Sequence, residues 1–261
     1  MADTAAFERR FGGLRRLYGV DGAQRLFDAH AVVVGIGGVG SWAAEALARS
    51  GVGHLTLVDM DHVGESNTNR QIHALDPCYG MAKVDAMRQR ILAINPQAQV
   101  DAVDDFVTPD NWPALLAPHR LKGQRLAVLD ACDQVAAKQA MAAWALRERV
   151  PFVSVGAAGG KRLAHRVELE DLSATTHDPL LASLRYRLRK AGVAPRQGRI
   201  GVACVFSREA VAPPSADCLL PSDGAGDGSL NCHGYGSSVA VTATFGLCAA
   251  GWLMERLSAP K

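Results

Sequence analysis

The sequence predicts an α/β fold, Rossmann-like and doubly wound, with a mostly parallel sheet and a diverged C-terminal part. A βαβ unit with a glycine-rich first turn occupies residues 31–61, and strand and helix patterns alternate strictly up to about residue 160. From Lys161 onward that alternation is lost. We therefore predict two parts, a core at residues 1–160 and a diverged continuation at residues 161–261.

The βαβ unit has the features of a nucleotide site. Its first strand, Ala31–Val34, runs into four glycines, and its second strand, Leu55–Val58, runs into Asp59. The glycines are Gly35, Gly37, Gly38 and Gly40. Glycine lets the backbone approach a phosphate, and the following helix presents unpaired N–H groups to it. Asp59 lies 19 residues after Gly40, a spacing that suits a carboxylate accepting hydrogen bonds from ribose hydroxyls.

The remaining elements follow from hydrophobic periodicity and from proline and glycine positions. Helices are predicted at Phe7–Phe27 (one or two), Met81–Asn95, Pro109–Ala117 (short) and Lys138–Arg149. Strands are predicted through the alternating residues Val100, Ala102 and Phe106, at Leu126–Leu129 and at Pro151–Val155. Six prolines and glycines within Pro213–Gly228 predict a mobile loop, and Val239–Met254 reads as an apolar helix.

Composition and charge restrict the class of function. A chain of 261 residues with 48% hydrophobic composition folds without metal or disulfide support. Six cysteines without CxxC spacing argue against a disulfide framework and a four-cysteine zinc site. Net charge is only +2, so nucleic-acid binding requires a local patch.

Two stretches bear on location. Arginines interrupt the N-terminal region where a signal peptide would be apolar, so we expect a cytoplasmic protein. The uncharged run Val239–Met254 has 16 residues, fewer than the ~20 of a spanning helix, and predicts a core or subunit-contact helix rather than stable membrane insertion. Peripheral membrane association stays open.

A basic patch covers Arg185–Arg199, with six cations and no acid. They are Arg185, Arg187, Arg189, Lys190, Arg196 and Arg199. Such crowding is mildly unfavourable unless a polyanion neutralises it, although many basic helix faces are simply solvated. Both a solvated face and a contact to a phosphate backbone remain open.

The charges that follow the glycine turn distinguish between nucleotides. Arg70 and Lys83 supply cations on segments leaving the strand edge, and Asp130 and Asp133 supply carboxylates after a neighbouring strand. A triphosphate needs such cations and a carboxylate for Mg²⁺, whereas a dehydrogenase needs NAD and a proton-transfer residue in a substrate domain. This set of charges suits ATP better than NAD.

Six ordered motifs resemble the superfamily of ubiquitin-activating E1 enzymes and molybdopterin and thiamine adenylyltransferases. They are GIGGVGS at Gly35–Ser41, LVDMDHV at Leu57–Val63, SNTNRQI at Ser66–Ile72, GMAKV at Gly80–Val84, INP at Ile94–Pro96 and LDACD at Leu129–Asp133. Further stretches, including Arg10–Gly19, Asp104–Asn111 and Val241–Gly246, are similar to the branch that dehydrates N6-threonylcarbamoyladenosine in tRNA. The resemblance spans Phe7 to about Gly160 and implies that residues 1–160 are an E1-like ATP-binding domain.

The resemblance implies a reaction and assigns roles. ATP would adenylate the threonyl carboxylate of the modified adenosine in ANN-decoding tRNAs, and attack within the same side chain would close a ring and release AMP. The four glycines would approach the phosphates, and Asp59 would hold the ribose. Asn67, Arg70 and Lys83 would contact the triphosphate, the last two neutralising charge on the α-phosphate and pyrophosphate. Asp133 would be the Mg²⁺ carboxylate, with Asp130 the lesser candidate.

Partners and alternatives follow from the same resemblance. Members of the superfamily are commonly homodimers, and their arginine reaching the partner's site falls here on Gly13, so Arg10 or Arg16 would replace it. One alternative is activation of the C-terminus of a ubiquitin-like sulfur carrier, against which the missing CxxC pair counts. Another is a nucleotide-sensing scaffold that recruits a cysteine desulfurase. Cys132 and Cys232 are candidates for sulfur transfer, although an inert role is favoured, and a monovalent cation site stays open.

Overall fold

A seven-stranded sheet forms the centre of the molecule. The computed structural model describes residues 2–120, 123–212 and 235–260. The strands are β1 His30–Val34, β2 His54–Val58, β3 Gln99–Val103, β4 Leu126–Asp130, β5 Phe152–Val155, β6 Val167–Asp171 and β7 Ala203–Ser207. Their order in the sheet is β3-β2-β1-β4-β5-β7-β6.

Neighbouring strands are parallel except β6, which pairs antiparallel with β7. The strand order runs outward from β1 through β2 to β3 and then resumes with β4 on the other side of β1, as in a doubly wound sheet. The predicted α/β class with a mostly parallel sheet is therefore confirmed. β6 and β7 extend the same sheet beyond residue 160, so the division at that residue stays a prediction based on sequence pattern.

Six helices cover the sheet within the described ranges. They are α1 Ala2–Phe27, α2 Gly40–Arg49, α3 Lys83–Ile94, α4 Val135–Glu148, α5 Pro179–Lys190 and α6 Val239–Ser258. Gly19, with φ 74° and ψ 167°, breaks α1 into two helical pieces. α1, α2, α3 and α6 pack on one face of the sheet, and α4 and α5 pack on the other. Successive residues of a strand point to opposite faces, so Val33 packs with the first group of helices and Val32 with the second.

Helix α6 corresponds to the predicted apolar helix at Val239–Met254 and is four residues longer. Phe245 and Leu253 are fully buried in the core beneath α2. No helix in the described part of the chain is long and apolar enough to cross a membrane. The predicted loop Pro213–Gly228 and Cys232 lie outside the described residues. The apolar run Val239–Met254 packs in the core.

The strand predicted through Val100, Ala102 and Phe106 ends at Val103, and Phe106 lies exposed beyond it.

The predicted short helix at Pro109–Ala117 is a 3₁₀ segment at Ala114–His119 instead. Asn111 explains the later start, because its Oδ1 accepts from Thr108 N at 2.7 Å and its Nδ2 donates to the carbonyl of Phe106 at 2.8 Å. Such side-chain bonds give the backbone an alternative to the helix.

Candidate nucleotide site

The glycine turn joins the end of β1 to the first turn of α2. Gly35 adopts φ +85°, and a Cβ there would lie 2.8 Å from the backbone carbonyl of Ala131. A Cβ on Gly40 would collide with the carbonyl oxygen of Gly35. These two glycines therefore permit close backbone packing. Gly37 is different. Among residues 2–120, 123–212 and 235–260, the atom nearest to its Cβ position is Gln71 Nε2 at 3.9 Å, so these residues leave its backbone open to a ligand.

Asp59 lies beside this turn at the carboxyl end of β2. Its Oδ2 accepts from Ile36 N at 2.6 Å and its Oδ1 from Asp61 N at 2.9 Å. Burial raises the pKa of Asp59 above its ordinary value, against the opposing effects of Lys83 and the two backbone donors. The sequence predicts a carboxylate near the glycine turn, and in the structure Asp59 lies beside this turn.

Lys83 begins α3 and points to the same edge. Its buried side chain donates from Nζ to Asp61 Oδ2 at 2.7 Å, while Asp61 itself is 67% exposed. An exposed carboxylate is an exchangeable partner, because a phosphate entering the site can compete with it. The pair thus keeps a buried ammonium group oriented beside Asp59.

Residues 64–72 form a polar segment that lies over the start of α2. Trp42 Nε1 donates to the carbonyl of Arg70 at 2.9 Å, which fixes the segment on the helix. Arg70 Nη1 donates to Ser66 O at 2.7 Å, and burial lowers the pKa of Arg70. Asn67 Oδ1 accepts from Gly64 N at 3.0 Å, so its side chain also shapes the turn. Arg70 borders Gly38, whose Cβ position lies 3.2 Å from Arg70 Cγ.

Asp130 ends β4 and is completely buried. Its Oδ2 accepts from Lys138 Nζ at 3.0 Å and from Ser154 Oγ at 2.6 Å, and its Oδ1 accepts from Cys132 N at 3.2 Å. Desolvation opposes the charge on buried Lys138, but Asp130 raises its pKa overall. With both oxygens engaged, the carboxylate of Asp130 suits positioning of the loop better than metal binding.

Asp133 and Cys132 follow on the same loop. Asp133 is partly exposed ahead of α4. Burial and the charge of Asp130 raise the pKa of the Cys132 thiol well above its ordinary value, and its Sγ lies 3.0 Å from Asp130 Oδ1. A thiol kept protonated is a poor nucleophile, which favours the inert role. Of these two carboxylates, that of Asp133 is partly exposed and that of Asp130 is buried.

Arg16 lies on α1, away from the glycine turn of its own chain. Phe11, on the same helix, packs against Gly51 at the far end of α2. Arg10 is engaged, since its Nη1 donates to Ile94 O at 2.8 Å. Arg16 is exposed and forms no hydrogen bond or ion pair within the described ranges. Its role at a nucleotide site therefore stays a prediction.

Comparison with known proteins agrees with this arrangement. The model of the ThiF family matches residues 10–261. The chain belongs to the ThiF family. A curated member from Escherichia coli (strain K12), tRNA threonylcarbamoyladenosine dehydratase, is 46% identical over 260 residues, with 97% of this chain and 95% of that protein covered.

Solved structures of that ThiF-family dehydratase match the whole fold. The crystal structure of the E. coli enzyme in complex with ATP has a TM-score of 0.83 and 45% identity, covering 97% of this chain and 95% of that one. Its complex with AMP has the same TM-score and coverage at 44% identity.

In this ThiF-family chain, two features of the site were not predicted from sequence. Gln71 is buried beside Gly37, with no partner for its Oε1 within the described ranges. Helix α6 also borders the turn, because a Cβ on Gly38 would lie 3.4 Å from Thr242 Cγ2 and one on Gly246 would collide with the carbonyl of Val39. Proximity of Gln71 to Arg70 in sequence was the available signal for the first, whereas no local pattern indicates the second.

Proposed function

We propose that this protein catalyses the ATP-dependent dehydration of N6-threonylcarbamoyladenosine in tRNA to its cyclic form. The full-length similarity to the E. coli dehydratase carries the proposal. The site supports it, because an open glycine backbone, a ribose-type carboxylate and two cations converge at one sheet edge. Since ATP and tRNA are the substrates, we place the protein in the cytoplasm.

The proposed chemistry proceeds in two steps. A carboxylate oxygen of the threonyl group attacks the α-phosphorus of ATP, and the bond to pyrophosphate breaks. A nucleophile of the carbamoyl part then attacks the activated acyl carbon, loses its proton and expels AMP, which retains the carboxylate oxygen. The tRNA product is lighter by one water.

Residues of this chain take separate parts in these steps. The open backbone at Gly37 and the first turn of α2 receive the phosphates. Asp59 accepts hydrogen bonds from the ribose. Lys83, released from Asp61, and Arg70 neutralise the charge that develops as pyrophosphate leaves.

The donor set suits magnesium held largely by the substrate. No group of three His, Cys, Asp or Glu side chains that could hold a metal occurs within residues 2–120, 123–212 and 235–260. Mg²⁺ commonly binds one or two carboxylates together with substrate phosphates, which fits Asp133 beside a triphosphate. When bound there, Mg²⁺ supplies additional neutralisation of phosphate charge.

The test is the mass of the modified nucleoside. Purified protein incubated with ATP, Mg²⁺ and tRNA carrying the linear threonylcarbamoyl group should produce AMP and a nucleoside lighter by one water. An unchanged nucleoside mass would overturn the proposal. Pyrophosphate exchange that depends on a small carrier protein instead of tRNA would replace it by carrier activation, and ATP binding without turnover would favour a scaffold for a desulfurase.

We also propose that two copies pair, with Arg16 of each reaching the nucleotide of the other. The exposed position of Arg16 on α1, remote from its own glycine turn, supports this arrangement.

A further inference from the structure

A cavity of about 560 Å³ opens at the edge of the sheet opposite to the glycine turn. It is lined by Phe152 and Ala203, the first residues of β5 and β7, and by the last residues of α4 and α6. The glycine turn, in contrast, follows the last residue of β1. Measured along the strand direction, the two sites are therefore separated by about the length of one strand, about 17 Å for five residues.

Three arginines line this cavity together with one indole ring. Arg149 caps the C-terminus of α4, Arg199 precedes β7, and Arg256 lies in the last turn of α6 with its guanidinium 5.1 Å from the ring centre of Trp252. Within the described ranges, neither Arg149 nor Arg256 forms a hydrogen bond or an ion pair. Two cations thus flank a cavity that has an aromatic wall.

Acidic groups at the cavity do not balance these charges. Arg199 lies 3.8 Å from Asp171, but the Asp171 carboxylate also accepts from Ile200 N at 2.9 Å and from Gly201 N at 2.6 Å. Glu170 is the other acid in the lining. Both acids lie on the side of β6, away from Arg149.

The predicted basic patch, Arg185–Arg199, begins on α5 and reaches the cavity at Arg199. Arg185 is used internally, because its Nη1 donates to the carbonyls of Leu172 at 3.0 Å and Thr175 at 2.9 Å. Arg187, Lys190 and Arg196 are exposed. From Leu172 to Val202 the sequence contains one acid, Asp178, which is buried as the cap of α5. We define the basal cationic surface as Arg149, Arg187, Lys190, Arg196, Arg199 and Arg256.

Helix dipoles account for only part of this charge. α4, α5 and α6 end at or near this edge, and each helix C-terminus carries about half a negative charge that a nearby cation offsets. Exposed Glu148 and Glu255 also lie next to Arg149 and Arg256, and Glu148 pairs with Arg147. With Arg147 included, seven cations exceed the three partial charges and the four acids Glu148, Glu170, Asp171 and Glu255. An excess of positive charge remains for an external anion.

We propose that the basal cationic surface binds the phosphate backbone of tRNA, with one unpaired nucleotide entering the cavity beside Trp252. Arginine guanidinium groups pair with phosphates through two parallel hydrogen bonds, and aromatic side chains stack on unpaired bases. The cavity volume lies in the usual range for small ligands of nucleotide size. Exposed Tyr186, with Lys190 Nζ 5.9 Å from its ring centre, adds an aromatic group to the same surface.

Helix α5 provides a route between the two edges of the sheet. Its cap, Asp178, accepts from Ala157 N beside the carboxyl end of β5, and Lys190 ends the helix about 18 Å further on. This inference rests on the proposed function. A tRNA lying along α5 contacts the basal cationic surface with its body while its modified nucleoside reaches the nucleotide edge.

The test measures tRNA affinity of the full-length protein by fluorescence anisotropy over a series of NaCl concentrations. The double variant Arg149→Ala, Arg256→Ala should bind tRNA at least about tenfold more weakly, and the slope of log affinity against log salt should fall by about 0.7–0.9 per lost phosphate contact. The KM for ATP should stay unchanged. Arg88→Ala, an exposed arginine on α3, is the control and should retain the wild-type slope.

A second variant tests the cavity. Trp252→Leu should weaken tRNA binding without changing the salt slope, because stacking involves no counterion release. Wild-type affinity in Trp252→Leu overturns the nucleotide in the cavity, and affinity of the arginine double variant equal to that of Arg88→Ala overturns the whole proposal.

Light scattering tests whether a second copy of the chain, instead of tRNA, occupies this surface. If the arginine variant changes oligomeric state while its tRNA affinity is unchanged, the surface is an interface between copies and the proposal fails. Because binding is measured directly, a failure of catalysis in the wild-type protein counts against the proposed reaction and leaves the binding result interpretable.

Discussion

At the scale of single residues, the pair between Lys83 and Asp61 holds a buried ammonium group beside the nucleotide edge. Replacing Lys83 by alanine should lower kcat about 10²-fold, because one cation facing a developing oxyanion contributes about 3 kcal/mol. The rate of AMP formation with tRNA measures this effect. Arg88→Ala on the same helix is the control, and loss of folded protein in Lys83→Ala would instead identify the lysine as structural.

Asp59 should control affinity for ATP in a pH-dependent manner. Its pKa is raised in the fold, so acidification protonates it above the pH at which an ordinary aspartate titrates. Protonation removes acceptor capacity for the ribose, and the KM for ATP should rise as pH falls through that pKa. In Asp59→Asn the KM should be raised at neutral pH with kcat less affected, and this acid-dependent rise should be absent. A variant with the wild-type pH profile would contradict the assignment.

The sequence predicted residues whose neighbours are local, and missed roles set by distant partners. The position of Asp59 was predictable because β2 ends beside the turn that follows β1. The hydrogen bonds of buried Asp130 were not predictable, because its partners Lys138 and Ser154 come from α4 and β5. A carboxylate at a strand end looks like a metal ligand until its buried partners are known.

At the scale of elements, the packing of α6 on the start of α2 depends on one glycine. Gly246→Ala should lower both thermal stability and affinity for ATP, because the new Cβ would meet the carbonyl of Val39 and displace the glycine turn. Gly251→Ala on the same helix is the matched control, since no atom of the described residues outside the helix's own backbone lies within 4 Å of its Cβ position.

Melting temperature and the KM for ATP distinguish the two glycine variants. Gly251→Ala should be more stable than wild type by up to about 1 kcal/mol, because alanine favours a helix over glycine. Equal effects of the two substitutions would show that the contact between α6 and the glycine turn does not matter for the site.

The elements were predictable because each buried strand is a short apolar run and each helix has its own periodicity. α6 was expected as a core or subunit-contact helix, and its residue pattern indicates burial correctly. Its location against the glycine turn was not predictable, because Gly246 and Val39 are about 200 residues apart and no local pattern encodes that pairing.

At the scale of the whole molecule, buried histidines should make the fold sensitive to acid. Burial lowers the pKa of His30 to about 3 and that of His73 to about 4, and both ring nitrogens of His73 lack hydrogen-bond partners within the described ranges. Below a pH of about 6.5 the unfolded chain binds protons that the fold excludes. The free energy of unfolding should therefore fall as pH decreases from about 6.5 to 4.

Urea denaturation at a series of pH values measures this dependence. Each such histidine contributes a slope of up to about 1.4 kcal/mol per pH unit, so His73→Leu should have a shallower dependence than wild type. His165→Leu, at an exposed position, should keep the wild-type slope. Identical slopes in the two variants would exclude His73 as a source of the acid sensitivity.

Mixing two variants of low activity tests the arrangement of subunits. If Arg16 serves the site of its partner, hybrids of Arg16→Ala and Lys83→Ala subunits contain one intact site, and activity should reappear on mixing. If Arg16 serves its own chain, both sites of the hybrid lack one residue. If the rate of AMP formation after subunit exchange stays at the level of the separate variants, the proposed pairing is rejected.

The contact between α6 and the glycine turn also has a consequence for synthesis of the chain. Translation delivers the turn first, yet Thr242 and Gly246, which complete its wall, emerge some 200 residues later. We expect the nascent protein to hold ATP weakly until α6 has left the ribosome and docked. Nucleotide affinity would then report that α6 has been synthesised and has packed against the glycine turn.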